Sequence, residues 1–505
     1  MIKLPRTSQR LFMSAGLLLA MQLSFANEGN HPANPPSHEE IVAGLAQQTL
    51  TIDELRSMGL DVFSTPFNTH DGMGDGAYDA NESEPRLPGQ RPTLQGNGLI
   101  LRLNGLDAQS CNECHTIVSN KSRPPELGIG GVGGMVQNAI ILPTVIDVAD
   151  STDDRTQPVA GHDPDMPMVP DGVADFNGRF ANPPFLFGGG GVEMLAKEMT
   201  IDLQRKLRYA RAAAPGSEFR LRTHGVDFGT LVRRADGTVD LSGVEGLGFV
   251  DNDHRAAEDV LVVRPFGRKG ENFSMRDFDR GAMMFHFGIQ PVEVVGQDVD
   301  DDRDGVVNEV TVGEMTALHM FDVNNPPPYQ EALNRDERAG RALFASIGCA
   351  DCHRPQIRTR STRLPMAFPE VASDPYANVY AYVNLVRVGF SPSDHGGVVV
   401  PLYSDLKRHK MGAALAETFE GGEIANDEFI TARLWGIADT APYLHDGRAT
   451  TLREAIEYHG GEAEVARDGF LGLSSEQQSQ LLAFLDQLRT PIKPNQDLLT
   501  TRTGK

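Results

Sequence analysis

The chain has 505 residues, of which 40% are hydrophobic and 23% charged, with a formal net charge of −23. That is globular composition, enough on length alone for roughly two to three domains and for a core that needs no staples. Lys and Arg total 46 against 69 Asp and Glu. This disfavours a nucleic-acid partner, since phosphate recognition needs a basic face, and fits a soluble protein that meets a neutral or basic partner. Only one long uncharged stretch occurs, at the N-terminus, so the chain does not read as a polytopic membrane protein.

That stretch is an address. Lys3, Arg6 and Arg10 precede an uncharged run, residues 11–26, that closes on Ser24-Phe25-Ala26. A basic start, an apolar middle and small residues at the −3 and −1 positions read as a secretory signal over residues 1–26, with cleavage after Ala26 and export to the periplasm. An uncleaved anchor is the alternative. No Cys precedes Cys111, which excludes a lipoprotein. The expected mature chain has no membrane span.

Residues 27–39 are rich in Pro, Asn and His, and residues 69–98 form a long Gly/Pro/Asp connector. Next comes Cys111-Asn-Glu-Cys114-His115, and much later Cys349-Ala-Asp-Cys352-His353. Both are C-x-x-C-H, the attachment pattern of c-type haem. Two thiols at this spacing can add to the porphyrin vinyl groups, and the following His then reaches the iron from below. A zinc ribbon would not need a His after both pairs. A redox dithiol would not come twice with a His and no spare cysteine, and disulfides within such loops would be strained. The cofactors expected from these motifs are two covalently bound c-type haems.

Between the motifs the sequence is loop-heavy. Residues 128–134 read GIGGVGG, and residues 147–178 lack helical periodicity. A helix is predicted over residues 193–212. The run Asp300-Asp-Asp302-Arg-Asp304-Gly305-Val306-Val-Asn308 places oxygens at positions 1, 3, 5, 7 and 9 of a calcium loop with Gly at 6. Position 12, however, is Thr311, so a calcium ion over residues 300–311 would need Glu309 or Glu314 as a substitute ligand, and a solvated acidic loop is the plain alternative. The Pro-rich residues 324–329 mark a domain boundary. A helix over residues 336–346 leads into the second haem motif, Thr451-x-x-Glu454 opens another helix, and Ser474-x-x-Gln477 opens the last. The fold expected is mainly α: two cytochrome c-like haem domains with long irregular loops, an N-terminal one over residues 27–325 enlarged by insertions and a C-terminal one over residues 330–495.

The far side of each iron decides between electron transfer and catalysis. For the second haem the candidates are Met411, whose thioether would raise the potential, and His409; neither is the third option, with Met411 simply packed in the core. For the first, Met135, His162, Met166, Met168 and His286 are candidates of equal standing. An open or exchangeable first haem is the working expectation.

Several stretches together resemble a known family. They are residues 434–456 (LWGIADTAPYLHDGRATTLREAI), followed by His459-Gly-Gly-Glu462, and, upstream, Phe285-His286-Phe287-Gly288 and Asp304-Gly-Val-Val-Asn-Glu309. The resemblance is to the di-haem c-type oxidoreductases, labelled peroxidase or thiol oxidoreductase and related to bacterial di-haem cytochrome c peroxidases. It spans about residues 95–490 and is densest after 265. It implies hydrogen peroxide reduction at the N-terminal haem, by heterolytic O–O cleavage and two one-electron reductions. Electrons would enter through the C-terminal haem from a small exported donor, a cytochrome or blue copper protein. It also implies a carboxylate acting as acid and base over the active haem, for which Glu193 is the nearest counterpart; an ordinary helix-start Glu is the plain alternative. His445 and Arg448 are further site candidates at the haem or the domain interface, with a turn as their plain reading. Trp435, the only Trp, is a candidate relay between haems or a core residue. The chain departs from the peroxidases at position 131, a Gly where they carry a gating His. Two rivals therefore remain: oxidation of a thiol, polymer or partner protein, and a non-catalytic electron carrier.

Overall fold

A computed structural model of the chain describes residues 29–30, 35–68, 70–73, 110–111, 115, 140–143, 178–181, 183, 186–250, 252–301, 305–417, 423–492, 495 and 497–498. The signal segment, Cys114, Met135, His162, Met166, Met168, Asp302 and Asp304 lie outside the described residues. None of the described helices is long and apolar enough to cross a membrane.

The first two helices, α1 (His38–Gln47) and α2 (Ile52–Ser64), each begin with a reciprocal capping box, Ser37 with Glu40 and Thr51 with Glu54. The short strands β1 (Ile140–Pro143) and β2 (Gly178–Ala181) pair antiparallel. The central element is α3 (Gly189–Ala212), whose residues from Gly189 to Thr200 are buried on every face, the mark of a helix packed all round. It starts four residues before the predicted 193. The glycines there permit contact rather than break the helix: a Cβ at Gly190 would collide with the Val323 carbonyl.

After α3, β3 (Glu218–Thr223) and β4 (Val226–Arg233) form a hairpin extended by β5 (Val239–Asp240). Its two-residue turn, His224-Gly225, has φ of 48° and 81°, the left-handed pair that matches strand twist. The tip reaches the second haem motif: Arg354 Nη1 donates to Gly225 O at 2.7 Å, and His224 Nδ1 lies 2.9 Å from Arg358 O. Helices α4 (Met275–Ala282) and α5 (Val312–Val323) complete the layer around α3, with α2 packed along α5.

The C-terminal part starts with α6 (Arg335–Ser346), capped by Asn334. Gly348, at φ 97°, turns the chain into the one-turn helix α7 (Cys349–Cys352). Strands β6 (Arg363–Ala367) and β7 (Val379–Asn384) pair antiparallel, as do β8 (Arg408–Lys410) and β9 (Glu428–Ile430). Helices α8 (Leu452–Glu457), α9 (Glu464–Leu471) and α10 (Ser475–Leu485) follow, and the boxes predicted at Thr451 and Ser474 are both formed. Tyr329–Gln330 pairs with Leu488–Arg489, tying the two ends of this part together.

The mainly α expectation needs correcting. The described residues hold six small sheets of two or three strands beside the helices, so the architecture is mixed. The expected boundary at 325–330 does not divide the core either. A small core of Phe344, Tyr403, Phe470, Phe484 and neighbours lies between α6 and α10. The larger core runs from Ile41 through α3 and α5 and takes in Ile357, Leu364, Val383, Phe390 and Leu402 from beyond that boundary.

Candidate functional site

Each C-x-x-C-H motif closes one helical turn. His115 N–H donates to Cys111 O and His353 N–H to Cys349 O, both at 2.9 Å. This brings the His under the turn that carries the thiols. Cys111 packs against the larger core and Cys349 against the smaller one, so the two motifs belong to different hydrophobic environments. Cys111, Cys349 and Cys352 are thiols, with no disulfide among the described residues. Burial pushes the Cys349 thiol up to about 11.

The second motif can be followed outward. His353 Nδ1 lies 3.0 Å from Tyr403 O. A carbonyl only accepts, so Nδ1 carries the proton and Nε2 the lone pair. Facing it is His459, just past the end of α8, whose Nδ1 donates to Ala455 O at 2.7 Å, leaving Nε2 in the same state. The ring centroids are 6.3 Å apart at an interplanar angle of 52°. Metal–imidazole bonds of about 2 Å place two ring centres roughly 6 Å apart across one metal. Burial lowers both rings, His353 to about 4, so both are neutral imidazoles, the ligating form. The residues present therefore fit a haem iron held between two histidines.

His459 stood in the sequence within a quoted motif, without a role. The candidates that were given the role sit differently. Both nitrogens of His409 face carboxylates: Nε2 is 2.8 Å from Asp405 Oδ2 and Nδ1 2.8 Å from Glu462 Oε2. Burial alone would lower its pKa, but Asp405 outweighs burial and raises it to about 11, with Cys352 adding to the rise. An imidazolium is no ligand, which corrects that option. Met411 donates its N–H to Asp427 O, and its carbonyl abuts Gly460, one residue past His459. The ring set against His353 is that of His459, and the Met411 assignment is corrected accordingly.

Glu193 is fully buried and fully engaged. Lys197 Nζ lies 2.7 Å from Oε1, His319 Nε2 lies 3.1 Å from Oε2, and Met275 N–H donates to Oε2 at 2.9 Å. Burial would raise this carboxyl, but Lys197 and His319 together hold it well below the usual range. Lys197 also donates to Pro365 O and reaches Glu370. A proton shuttle works best with a pKa near the working pH, and this carboxylate is instead half of an interior ion pair. Nearby Asp279 and Asp322 are held well above the usual carboxyl range, Asp279 by burial and by Asp322 beside it.

His445 stacks on Phe429 at 4.3 Å and 25°, and burial lowers it to about 4. Arg448 turns back on Asp446 and donates to Ala414 O at 2.6 Å. The pair thus forms the turn that was their plain reading. Trp435 is 3% exposed and donates Nε1–H to Pro401 O at 2.6 Å, with its ring against Gly188 at the start of α3. His286 is half-buried on the π-turn Met283–Phe287.

In the acidic loop, Asp300 accepts Gly305 N–H at 3.1 Å, and Asn308 and Asp298 exchange two hydrogen bonds at 2.8 Å. Val306 lies on the same turn. The two substitute ligands are used elsewhere. Glu314 completes the capping box of Thr311 on α5, and Glu309 accepts Gln290 N–H at 2.7 Å.

The model of a family described as "Di-haem oxidoreductase, putative peroxidase" matches residues 393–488, the stretch that carries β8, β9, His445 and His459. Cytochrome-c peroxidase IdrP2 of Pseudomonas sp. (strain SCT) is 27% identical over 30% of this chain and 39% of its own length. Cytochrome c551 peroxidase of Nitrosomonas europaea is 27% identical over 39% of this chain and 52% of its own. The chain thus spans about half, or less, of the length of these curated relatives. Among solved structures, hydrazine synthase of Kuenenia stuttgartiensis is 14% identical, covering 96% of this chain and 100% of that one at a TM-score of 0.30. A MauG-like protein associated with microbial copper homeostasis is 15% identical, covering 60% and 88% at a TM-score of 0.21. With its signature in residues 393–488, the chain is a relative of the di-haem, peroxidase-like oxidoreductases.

Proposed function

We propose that the chain is an exported di-haem c-type oxidoreductase that reduces hydrogen peroxide. In this reading Cys111, Cys114 and His115 hold the first haem. Cys349 and Cys352 hold the second, with His353 and His459 on its two faces. The carrying observation is the facing pair of imidazoles, each with Nδ1 anchored on a backbone carbonyl. A haem iron with two permanent imidazole ligands exchanges single electrons and offers no position to a substrate. The second site therefore takes electrons from a small exported donor protein, and peroxide chemistry belongs to the first. Tyr403 O and Ala455 O fix the two rings in the ligating tautomer, as second partners do at metal sites generally.

One observation favours a second reading, electron transfer without peroxide chemistry: Glu193, the acid–base candidate, is tied into an interior ion pair. Low-temperature electron paramagnetic resonance separates the two. The purified holoprotein is recorded fully ferric and half-reduced, each with and without peroxide. The peroxidase reading expects one low-spin haem that ignores peroxide and a second signal that peroxide abolishes in at least one of the two states. Two low-spin haems indifferent to peroxide in both states would leave the electron carrier standing.

A further inference from the structure

We propose that His409 is a positioning residue for the turn that carries His459, an inference that rests on the His459 assignment above. The turn is His459-Gly460-Gly461-Glu462, and it lies directly on the backbone of β8 and the residue after it. A Cβ at Gly461 would collide with Lys410 O, and one at Gly460 would stand 2.9 Å from Met411 O. The two glycines thus permit the contact, and Glu462 locks it. One carboxylate oxygen accepts Lys410 N–H at 2.9 Å, and the other faces His409 Nδ1 at 2.8 Å.

The opposite edge of the same imidazole is held from below. His409 Nε2 meets Asp405 Oδ2 at 2.8 Å, and this nitrogen, the Asp405 oxygen and Cys352 Sγ all lie within 4.8 Å of one another. Asp405 is 4% exposed and His409 9%, whereas the Glu462 side chain is half-exposed. One ring therefore ties the attachment turn at Cys352 to the ligand turn at His459 through two charge-assisted bonds. Without it, Glu462 keeps a single backbone bond and the His459 turn loses its link to the buried floor. A ligand freed in this way is displaced more readily by a competing small ligand.

The test uses the intact holoprotein and cyanide titration of the ferric state, followed by the low-spin resonance signals and the count of sites per chain. His409→Ala is expected to add one cyanide-accessible haem per chain relative to wild type, or to raise the affinity of that haem at least tenfold. His409→Gln, which can still donate to Glu462, is expected to recover part of the wild-type resistance. His459→Ala is run beside them. If His459→Ala leaves the low-spin spectrum of the second haem unchanged, the ligand assignment itself fails and this inference with it. If His459→Ala changes the spectrum while His409→Ala matches wild type in site count and affinity, only the positioning role is overturned. Should His409→Ala fail to load haem, Glu462→Ala cuts the same link from its exposed side. Cyanide sensitivity in that variant supports the role, and wild-type resistance overturns it.

Discussion

Two buried regions of this molecule place histidines against oxygen, and the kind of oxygen separates them. At the second haem motif, His353 and His459 face backbone carbonyls and keep a lone pair on the other nitrogen. Inside the layer around α3, His319 faces the Glu193 carboxylate, beside a lysine. A carbonyl partner orients an imidazole without charging it, whereas a carboxylate partner favours the charged form and takes up the nitrogen that a metal would need. The first region is built to hold a group from outside; the second is closed on itself.

The largest effect is expected where the closed region loses its cation. Lys197→Met leaves Glu193 and Glu370 buried without their ammonium, and removing one partner of a buried pair costs about 3–5 kcal/mol. Chemical denaturation measures this, and a loss below about 1 kcal/mol would show that the cluster is wetter than it looks. Acid works on the same pair. Glu193 is held below its ordinary value of 4.5, so its stabilising contribution is complete above that value and fades as pH falls through the lower folded value. Stability of wild type should therefore fall on acidification, and the Glu193→Gln, Lys197→Met double variant should show a shallower fall.

Asp279 gives an effect of opposite sign. Its carboxyl is held above the ordinary 3.8 by burial and by Asp322, so the folded state binds a proton more tightly than the unfolded one. That contribution is complete below 3.8 and is lost as pH rises through the folded value. Asp279→Asn mimics the protonated form and should gain about 1 kcal/mol at neutral pH, with little change at pH 4; equal effects at both pH values would refute it. The smallest effect is on the open region. Thr451→Ala removes the cap of α8, whose Ala455 carbonyl orients His459. A stability loss of about 0.5–1 kcal/mol is expected, with a small shift of the low-spin resonance values as its spectroscopic sign.

What could be read from the sequence was contiguous. Both C-x-x-C-H motifs and the capping boxes at Thr451 and Ser474 are local patterns, and their short spacing carries their meaning. His459 was visible but mute, because nothing in a sequence states which atom its Nδ1 bonds. The same holds for His409, where two carboxylates from different stretches, Asp405 and Glu462, decide the charge. Glu193 looked like a helix-start acid, while Lys197 one turn later was the better clue, since Glu and Lys at that spacing meet on a helix face. The sheets were missed because strands of two to six residues among prolines and glycines show too little alternation to register.

The way the larger core crosses the expected boundary bears on assembly. Between the attachment turn at Cys349 and the ligand turn at His459, the chain leaves its own small core to place Leu364, Val383 and Phe390 in the other. The two halves of the second haem cradle therefore meet only after an excursion through the N-terminal body. Such long-range closure is slow relative to local helix formation. A fragment starting at residue 330 would lack the surface on which that excursion rests, and the cradle matures as a late product of the whole chain rather than as a module of its own.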